Sequence, residues 1–190
     1  MLNDDFAFNS ISQGDILVSE PFLPDTNFER SVVLVCNHDE TGSFGFILNK
    51  PTQVGVDQII EMETEMKDKV YLGGPVQQNT LHFLHTVGEK VEGSFHVKNG
   101  IYWGGNFEQI LELITLKLIK PTDYRFFLGY SGWSEGQLDE ELKQKAWIIS
   151  TNYANDIFGY DTEHLWRIIL KDMGGKFKMI ANYPTDPRLN

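Results

Sequence analysis

Short apolar runs separated by turn residues dominate the first half of the chain. The run from Ser31 to Cys36 is apolar at nearly every position, which is typical of a strand covered on both faces. Polar residues 39–42 follow it and predict a hairpin turn. Together the runs predict strands at residues 14–18, 31–36, 44–48, 70–72, 81–86 and 94–97.

Helical patterns are more frequent in the second half. Residues 107–119 are apolar almost all round and precede Pro121, which predicts a largely buried helix. Residues 124–128 predict a strand that leads into a glycine-rich turn. Three more helix starts are indicated: Asp57 as an N-cap, Ser134 and Gln137 as a capping box, and Asp161 as the N-cap of a last helix ended by Gly174 and Gly175.

This order of elements predicts an α+β fold. Strands with interspersed helices imply a mixed, mainly antiparallel sheet flanked by three to four helices. The chain of 190 residues has no repeat and no linker-like run, so we expect one compact domain over residues 1–190. No G-x-G-x-x-G motif and no P-loop lysine is present, and we expect no cofactor.

The charge of the chain limits its partners. The formal net charge is -11 at pH 7, and an acidic surface repels nucleic-acid phosphates and anionic membranes. Direct nucleic-acid binding is therefore disfavoured. Cys36 is the single cysteine, which rules out an intramolecular disulfide. With no apolar segment at the N-terminus and no run long enough for a membrane span, we expect a cytoplasmic protein.

Glycines and aromatic residues form the densest motif. The ten residues from Gly129 to Leu138 hold three glycines and two aromatic residues, and Tyr130, Gly132 and Trp133 are our strongest candidates for a pocket or contact patch. The alternative is that Trp133 packs on the sheet and the glycines permit a turn.

Two further segments could belong to the same site. Gly73, Gly74 and Pro75 form either an anion-binding nest or, as we favour, a tight turn. Asn49 is a candidate for binding a ligand or partner. The alternative is that its side chain only holds the backbone of a turn. The hypothesis of one site requires these segments to converge in space.

The candidates for catalysis and metal binding are weaker. Cys36 and His38 share a face of a regular strand, but side chains two apart are separated by about 6.6 Å, and Cys36 lies in a buried run. His82 and His85 are three apart and point to opposite faces of a strand, with one expected half-buried and the other solvated. We therefore expect no metal site and assign no catalytic residue.

Four blocks of residues stand in order along the chain: Phe28-Glu29-Arg30-Ser31-Val32-Val33-Leu34, Gly45-Phe46-Ile47-Leu48-Asn49-Lys50-Pro51, Gly73-Gly74-Pro75-Val76, and Gly129-Tyr130-Ser131-Gly132-Trp133 with Gly136-Gln137-Leu138. In order and spacing they resemble the bacterial YqgE/AlgH family over nearly the whole chain. The resemblance implies a compact α/β fold and a family often labelled as transcriptional regulators, and it brings no catalytic residues. Asn37 precedes His38 where relatives commonly have an acidic residue, which weakens an acid–histidine pair.

Three hypotheses of function follow. The first is a non-enzymatic interaction or regulatory protein that uses a pocket or patch around residues 73–75 and 129–133, because its distinctive residues are glycines, aromatics and amides. The alternative is a small-molecule enzyme, hydrolase-like, with His38 or His85 as base. The third is a DNA-associated regulator, which the net charge of -11 disfavours. The sequence leaves open whether the partner is a protein or a small ligand, and in which oligomeric state the chain binds it.

Overall fold

The computed structural model describes residues 10–60, 68–151 and 157–185. Within these residues the fold is α+β, as predicted, and contains ten strands and four α-helices. The strands are β1 (Ile16–Ser19), β2 (Val32–Asp39), β3 (Gly42–Ile47), β4 (Pro51–Gly55), β5 (Lys69–Leu72), β6 (Val76–His85), β7 (Phe95–Lys98), β8 (Ile101–Trp103), β9 (Tyr124–Ser134) and β10 (Trp147–Ser150). The helices are α1 (Phe107–Thr115), α2 (Gln137–Lys143), α3 (Leu165–Met173) and α4 (Gly175–Ile180). None of the described helices has the length and apolar character that a membrane span requires.

The ten strands form one sheet. Eight of them follow the order β10-β1-β2-β3-β9-β6-β8-β7, and β4 pairs with β5, which itself pairs with β9. Only the β5–β9 pair is parallel among the described pairs. The sheet is therefore mixed and mainly antiparallel, which makes α+β the correct class and α/β the wrong one.

β9 is the central strand. Along one edge it pairs with β6 from Tyr124 to Tyr130. Along the other edge it pairs first with β5 through residues 126–128 and then with β3 through residues 131–134. The predicted glycine-rich turn is therefore wrong: the strand continues through its glycines to Ser134, and Gly129, at φ +65°, marks the change of partner.

The core consists of three hydrophobic clusters. Alternate residues of β1 and β2 point to opposite faces, so Leu34 packs with α3 in one cluster and Val33 packs with Leu138 of α2 in another. The third cluster lies under α1, where Ile110 packs with Phe126. Helices thus cover the sheet on both faces.

Two helix boundaries differ from the sequence pattern because local hydrogen bonds set them. α1 begins after Asn106, whose side chain accepts from Gln109 N at 3.1 Å, and it ends at Thr115 rather than Ile119. α2 begins after Gly136, at φ +70°. The predicted capping box is half formed, because Gln137 Oε1 accepts from Ser134 N at 3.1 Å without the reciprocal bond.

The other predicted helix N-termini also differ from the observed ones. Asp161 accepts from Glu163 N in the turn that precedes α3, and His164 is the residue that caps the helix. Beyond Gly174 the chain continues as α4, which the paired glycines did not predict. Asp57 lies inside a one-turn 3-10 helix whose N-cap is Gly55. The helix predicted to begin at Asp57 carries Ile59, Ile60, Met62 and Met66, and the last two lie outside the described residues.

Candidate functional site

A groove of about 600 Å³ opens where β3, β6, β8 and β9 meet. The residues that line it are Phe44, Phe46, His82, Trp103, Tyr130 and Trp133, together with the smaller residues Asn37, Thr41, Gly42, Ser43, Val76 and Gly132. We call this the aromatic groove. Phe46 and Trp133 belong to the core, whereas Phe44, Trp103 and Tyr130 are only partly buried.

The rings of the aromatic groove are held in edge-to-face contact. The centroid of Phe44 lies 4.7 Å from that of Trp103 and 6.2 Å from that of Tyr130. Gly132 stands opposite Phe44 in the sheet. A Cβ at Gly132 would come within 3.1 Å of the Tyr130 ring, so this glycine leaves the space that the ring occupies. The structure therefore brings the predicted site residues Tyr130 and Gly132 together.

Trp133, the third predicted residue of this motif, lies mainly in the core. Its side chain is 5% exposed and packs against Phe28 and Trp147. Trp133 Nε1 donates to Glu141 Oε2 at 2.9 Å, and Trp147 Nε1 donates to the same oxygen at 2.7 Å. Glu141 thus anchors α2 to the sheet.

Gly73, Gly74 and Pro75 connect two strands on opposite edges of β9. β5 and β6 pair with the same β9 residues, so the chain between them must cross this strand. A Cβ at Gly73 would lie 2.3 Å from Gly129 O, and one at Gly74 would lie 2.2 Å from Tyr130 C. The two glycine motifs are therefore neighbours, and their contact is backbone packing behind the aromatic groove.

The nest interpretation loses support from the same contacts. Gly73 N already donates to Leu128 O at 2.8 Å, and both glycines are buried. Pro75 is exposed, and none of the three residues lines the aromatic groove. At this place the structure has a close crossing over β9, whereas the sequence had favoured a tight turn.

Asn49 lies away from the aromatic groove. Its Oδ1 accepts from Val32 N at 2.9 Å, and its Nδ2 donates to Arg30 O at 2.8 Å. Both hydrogen bonds fix the end of β3 against the start of β2. The convergence of Asn49 with Tyr130 and Trp133, which the one-site hypothesis required, does not occur.

The two histidines of β6 point to opposite faces, as predicted. His82 lines the aromatic groove and is 5.4 Å from the Phe46 ring by centroid. Burial lowers the pKa of His82, and its Nε2 is buried without a hydrogen-bond partner among the described residues. The ring is therefore neutral near pH 7.

His85 is fully buried, so the expectation that one of this pair is solvated was wrong. Its Nε2 is 3.1 Å from Gly104 O and 2.9 Å from Ser94 Oγ. A carbonyl only accepts, so Nε2 carries the proton and Nδ1 does not. Burial lowers the pKa of His85, against an opposing effect of its bond to Gly104. A substrate has no access to this ring.

A bulge in β2 separates Cys36 from His38. Val35 pairs with Gly45 while Asn37 pairs with Phe44, so one extra residue shifts the alternation. Cys36 packs in the cluster of Leu34, and burial raises the pKa of its thiol. The predicted shared face is thus wrong. His38 instead stands beside Ser43, with Nδ1 and Oγ 2.7 Å apart.

Several residues of the aromatic groove were not singled out from the sequence. Phe44 and Trp103 are partly exposed rings of the groove, and Ser43, which also lines it, is hydrogen-bonded to His38. Phe44 was part of a predicted strand, but a strand pattern does not reveal which end of a strand is left open. The only signal at Trp103 was an aromatic residue next to two glycines, Gly104 and Gly105.

Known proteins resemble this chain both in sequence and in fold. Over 181 residues the chain is 44% identical to a UPF0301 protein of Cytophaga hutchinsonii, covering 95% of this chain and 100% of the relative. It is 38% identical over 186 residues to a UPF0301 protein of Chlorobaculum parvum, covering 98% and 100%. The names of these relatives state no reaction and no ligand.

Two solved structures share the fold. A crystal structure of a protein from Corynebacterium diphtheriae matches with a TM-score of 0.73 at 22% identity and covers 92% of this chain and 94% of that one. The solution structure of the AlgH protein from Pseudomonas aeruginosa matches with a TM-score of 0.71 at 22% identity and covers 92% and 96%. The model of the AlgH-like family matches residues 16–178. Since this match spans most of the sequence, the chain belongs to the AlgH-like family.

Proposed function

We propose that this protein acts by binding, without catalysis, and that the aromatic groove is its binding site. The observation that carries the proposal is the partial exposure of three large rings, Phe44, Trp103 and Tyr130, at the mouth of a groove of about 600 Å³. Aromatic rings give a large contact area at a small cost in conformational entropy, which suits a binding surface. A volume in this range is typical of ligand sites.

The rings of the groove cover the core and still leave surface exposed. Phe44, Trp103 and Tyr130 pack against the core cluster that contains Phe46, which is 0% exposed, yet they remain only partly buried themselves. Phe95, 44% exposed and 6.4 Å from Trp103 by centroid, extends the aromatic surface beyond the groove. A continuous apolar surface of this kind is typical of an interaction site.

Amide NMR with a panel of neutral and cationic fragments and short peptides tests the proposal. We expect members of the panel to shift the resonances of Phe44, Trp103 and Tyr130, and the shifts to weaken about tenfold in Trp103→Leu, which keeps apolar bulk but removes the ring. Tyr183→Leu is the matched control, since Tyr183 is 39% exposed and stacks on Phe22, outside the groove. A folded protein that responds to no member of the panel would contradict the proposal.

A hydrolase-like enzyme is the second candidate, and one contact favours it. His38 Nδ1 and Ser43 Oγ share a hydrogen bond of 2.7 Å, which is the distance that a base and a nucleophile require. His85 drops out of this candidate because it is buried. If Ser43 is a nucleophile, a fluorophosphonate probe labels it and Ser43→Ala abolishes both labelling and turnover of activated esters. An unlabelled Ser43 in the folded protein removes the candidate.

A further inference from the structure

We infer, resting on the proposed binding function, that the aromatic groove receives a cationic side chain, an arginine carried by a basic, extended segment of a partner protein. The residues that line the groove lie in segments 37–46, 76–82 and 130–133 and at Trp103. These segments contain the carboxylates Asp39 and Glu40 and no lysine or arginine, and Glu135 follows two residues after the last of them. An anionic ligand would find no opposite charge there, whereas a cation would.

The carboxylates lie at one end of the aromatic groove. Asp39 pairs with Gly42, and Gly42 with Ser134, the residue before Glu135. Thr41 and Gly42, which follow Asp39 and Glu40 in the hairpin turn, line the groove. Hydrogen bonds from Thr41 and Asn37 lower the pKa of Asp39 to about 2. This end of the groove therefore stays negative at any physiological pH and attracts a basic segment.

The aromatic rings of the groove also favour a cation. Aromatic faces carry negative potential, and a guanidinium stacks on them more readily than an ammonium does. Trp103 and His82 lie 6.4 Å apart at an interplanar angle of 37°, and Tyr130 meets His82 edge-on at 5.9 Å. These rings contact one another, and Trp103 and Tyr130 remain partly exposed, so a cation in the groove reaches their outer surface. The neutral state of His82 matters here, because a protonated imidazole would repel the cation.

Hydrogen-bond acceptors complete the match. His82 Nε2 is buried, so a ligand in the groove meets the ring surface of His82 and not this nitrogen. Asn37 donates through Nδ2 to Asp39 Oδ2 at 2.7 Å. This bond leaves Asn37 Oδ1 as an acceptor for a ligand. A guanidinium has five N–H donors and no acceptor, so it complements Asn37 Oδ1 and the carboxylate of Asp39.

The size of the site favours a protein segment over a small cation. One guanidinium fills only part of a groove of about 600 Å³. The aromatic surface continues to Phe95, and the exposed amide side chains of Gln77, Gln78 and Asn79 stand beside Val76 at the rim. Such amides bond to the main chain of an extended peptide.

Calorimetry and amide NMR at low salt with three peptides test the inference. The probes are Ac-Gly-Ala-Arg-Ala-Gly-NH2, the same peptide with citrulline, which is the neutral isostere of arginine, and the same peptide with norleucine. We expect the arginine peptide to bind at least about tenfold more tightly than the other two and to shift Phe44, Trp103 and Tyr130. Trp103→Leu should weaken it about tenfold, Asp39→Asn severalfold, and Tyr183→Leu not at all.

Other outcomes separate the inference from the proposed function. Equal binding of the citrulline peptide, or binding of neutral aromatic fragments alone, would overturn the cationic occupant while the groove remained a binding site. Arginine methylamide binding as tightly as the peptide would overturn the protein segment in favour of a small cation. If neither peptides nor fragments reach the groove of the folded protein, the proposed function fails as well.

Discussion

At the scale of single residues, the two histidines of β6 lie three positions apart and therefore occupy different environments on opposite faces of the strand. His82 faces the aromatic groove, and His85 faces the core beside Tyr102, with ring centroids 5.7 Å apart. Burial lowers the pKa of both. Both rings are therefore neutral near pH 7, one lining the aromatic groove and the other packed in the core as a donor to Gly104 O.

The lowered pKa of His85 predicts a pH-dependent stability. Above the ordinary value of 6.5 both folded and unfolded chains leave this ring neutral. As the pH falls below 6.5, the unfolded chain gains the proton first, so the free energy of unfolding decreases until the pH passes the folded pKa. We expect urea unfolding between about pH 7.5 and 5.5 to show this decrease, and His85→Gln to make it smaller.

The slope, rather than the stability at neutral pH, is the quantity to compare for His85→Gln. The substitution removes a buried ring and costs stability at every pH, but glutamine cannot gain a proton in this range. His96→Gln is the control, because His96 is an exposed histidine of the same sheet. An unchanged slope in His85→Gln would show that other groups cause the pH dependence.

At the scale of elements, α2 is attached to the sheet through one carboxylate. Glu141 Oε2 accepts from both Trp133 Nε1 and Trp147 Nε1, which joins the helix to β9 and β10. Glu141→Ala leaves two indole N–H groups without their acceptor, so we expect a loss of about 2 kcal/mol in the free energy of unfolding, measured by urea denaturation. Glu141→Gln should restore part of it, because its amide oxygen still accepts.

A neighbouring glutamate on the same helix provides the control for this prediction. Glu140 is exposed, and its carboxylate pairs only with Lys143 among the described contacts. Glu140→Ala removes the same carboxylate from a solvent-facing site, so we expect a change within about 0.5 kcal/mol. Equal losses in the two alanine variants would refute the role assigned to Glu141.

Because the chain between β5 and β6 passes close to β9, a single added methyl group there should lower the stability strongly. Gly74 has φ +156°, and a Cβ there would lie 2.2 Å from Tyr130 C. The obstacle is backbone of the central strand, which cannot move without breaking its ladder. We expect Gly74→Ala to lower the free energy of unfolding by at least about 2 kcal/mol, as measured by thermal or urea denaturation.

Gly93→Ala separates steric overlap from backbone strain. Gly93 has φ +73°, and a Cβ added there would meet no atom within 4 Å, so alanine at this position is opposed only by the left-handed conformation of the backbone. That strain costs about 1 kcal/mol. A Gly74→Ala variant no less stable than Gly93→Ala would show that the crossing has room for a side chain.

The elements predicted correctly from the sequence are those with a clear apolar pattern. The apolar run of residues 31–36 coincides with β2 from Val32 onward, and Leu165, Trp166 and Ile169 are buried in α3, within the last predicted helix. The glycine-rich stretch was misread as a turn because glycine signals both turns and close backbone approach. Only the partner strand distinguishes the two, and Gly73 and Gly74 meet Gly129 from more than fifty positions away in the chain.

At the scale of the molecule, the candidate site depends on contacts that the sequence does not encode locally. Tyr130 and Gly132 could be singled out because they share one motif. Phe44 and Trp103 could not, since Phe44 meets Tyr130 only because β3 pairs with β9, and Trp103 of β8 joins the groove through its contact with Phe44. The net charge of -11 was visible at once, but the absence of lysine and arginine from the groove segments gained meaning only when the fold brought those segments together.

The position of β9 leads to a last prediction, that the chain unfolds as one cooperative unit. This strand sends Phe126, Phe127 and Trp133 into three different core clusters, so none of the clusters loses its packing without disturbing the strand that the others share. We expect tryptophan fluorescence, far-UV circular dichroism and hydrogen exchange at Val33 and Phe83 to report the same urea midpoint. Two separated midpoints, one for Val33 and one for Phe83, would instead divide the chain into two folding units and contradict the single domain.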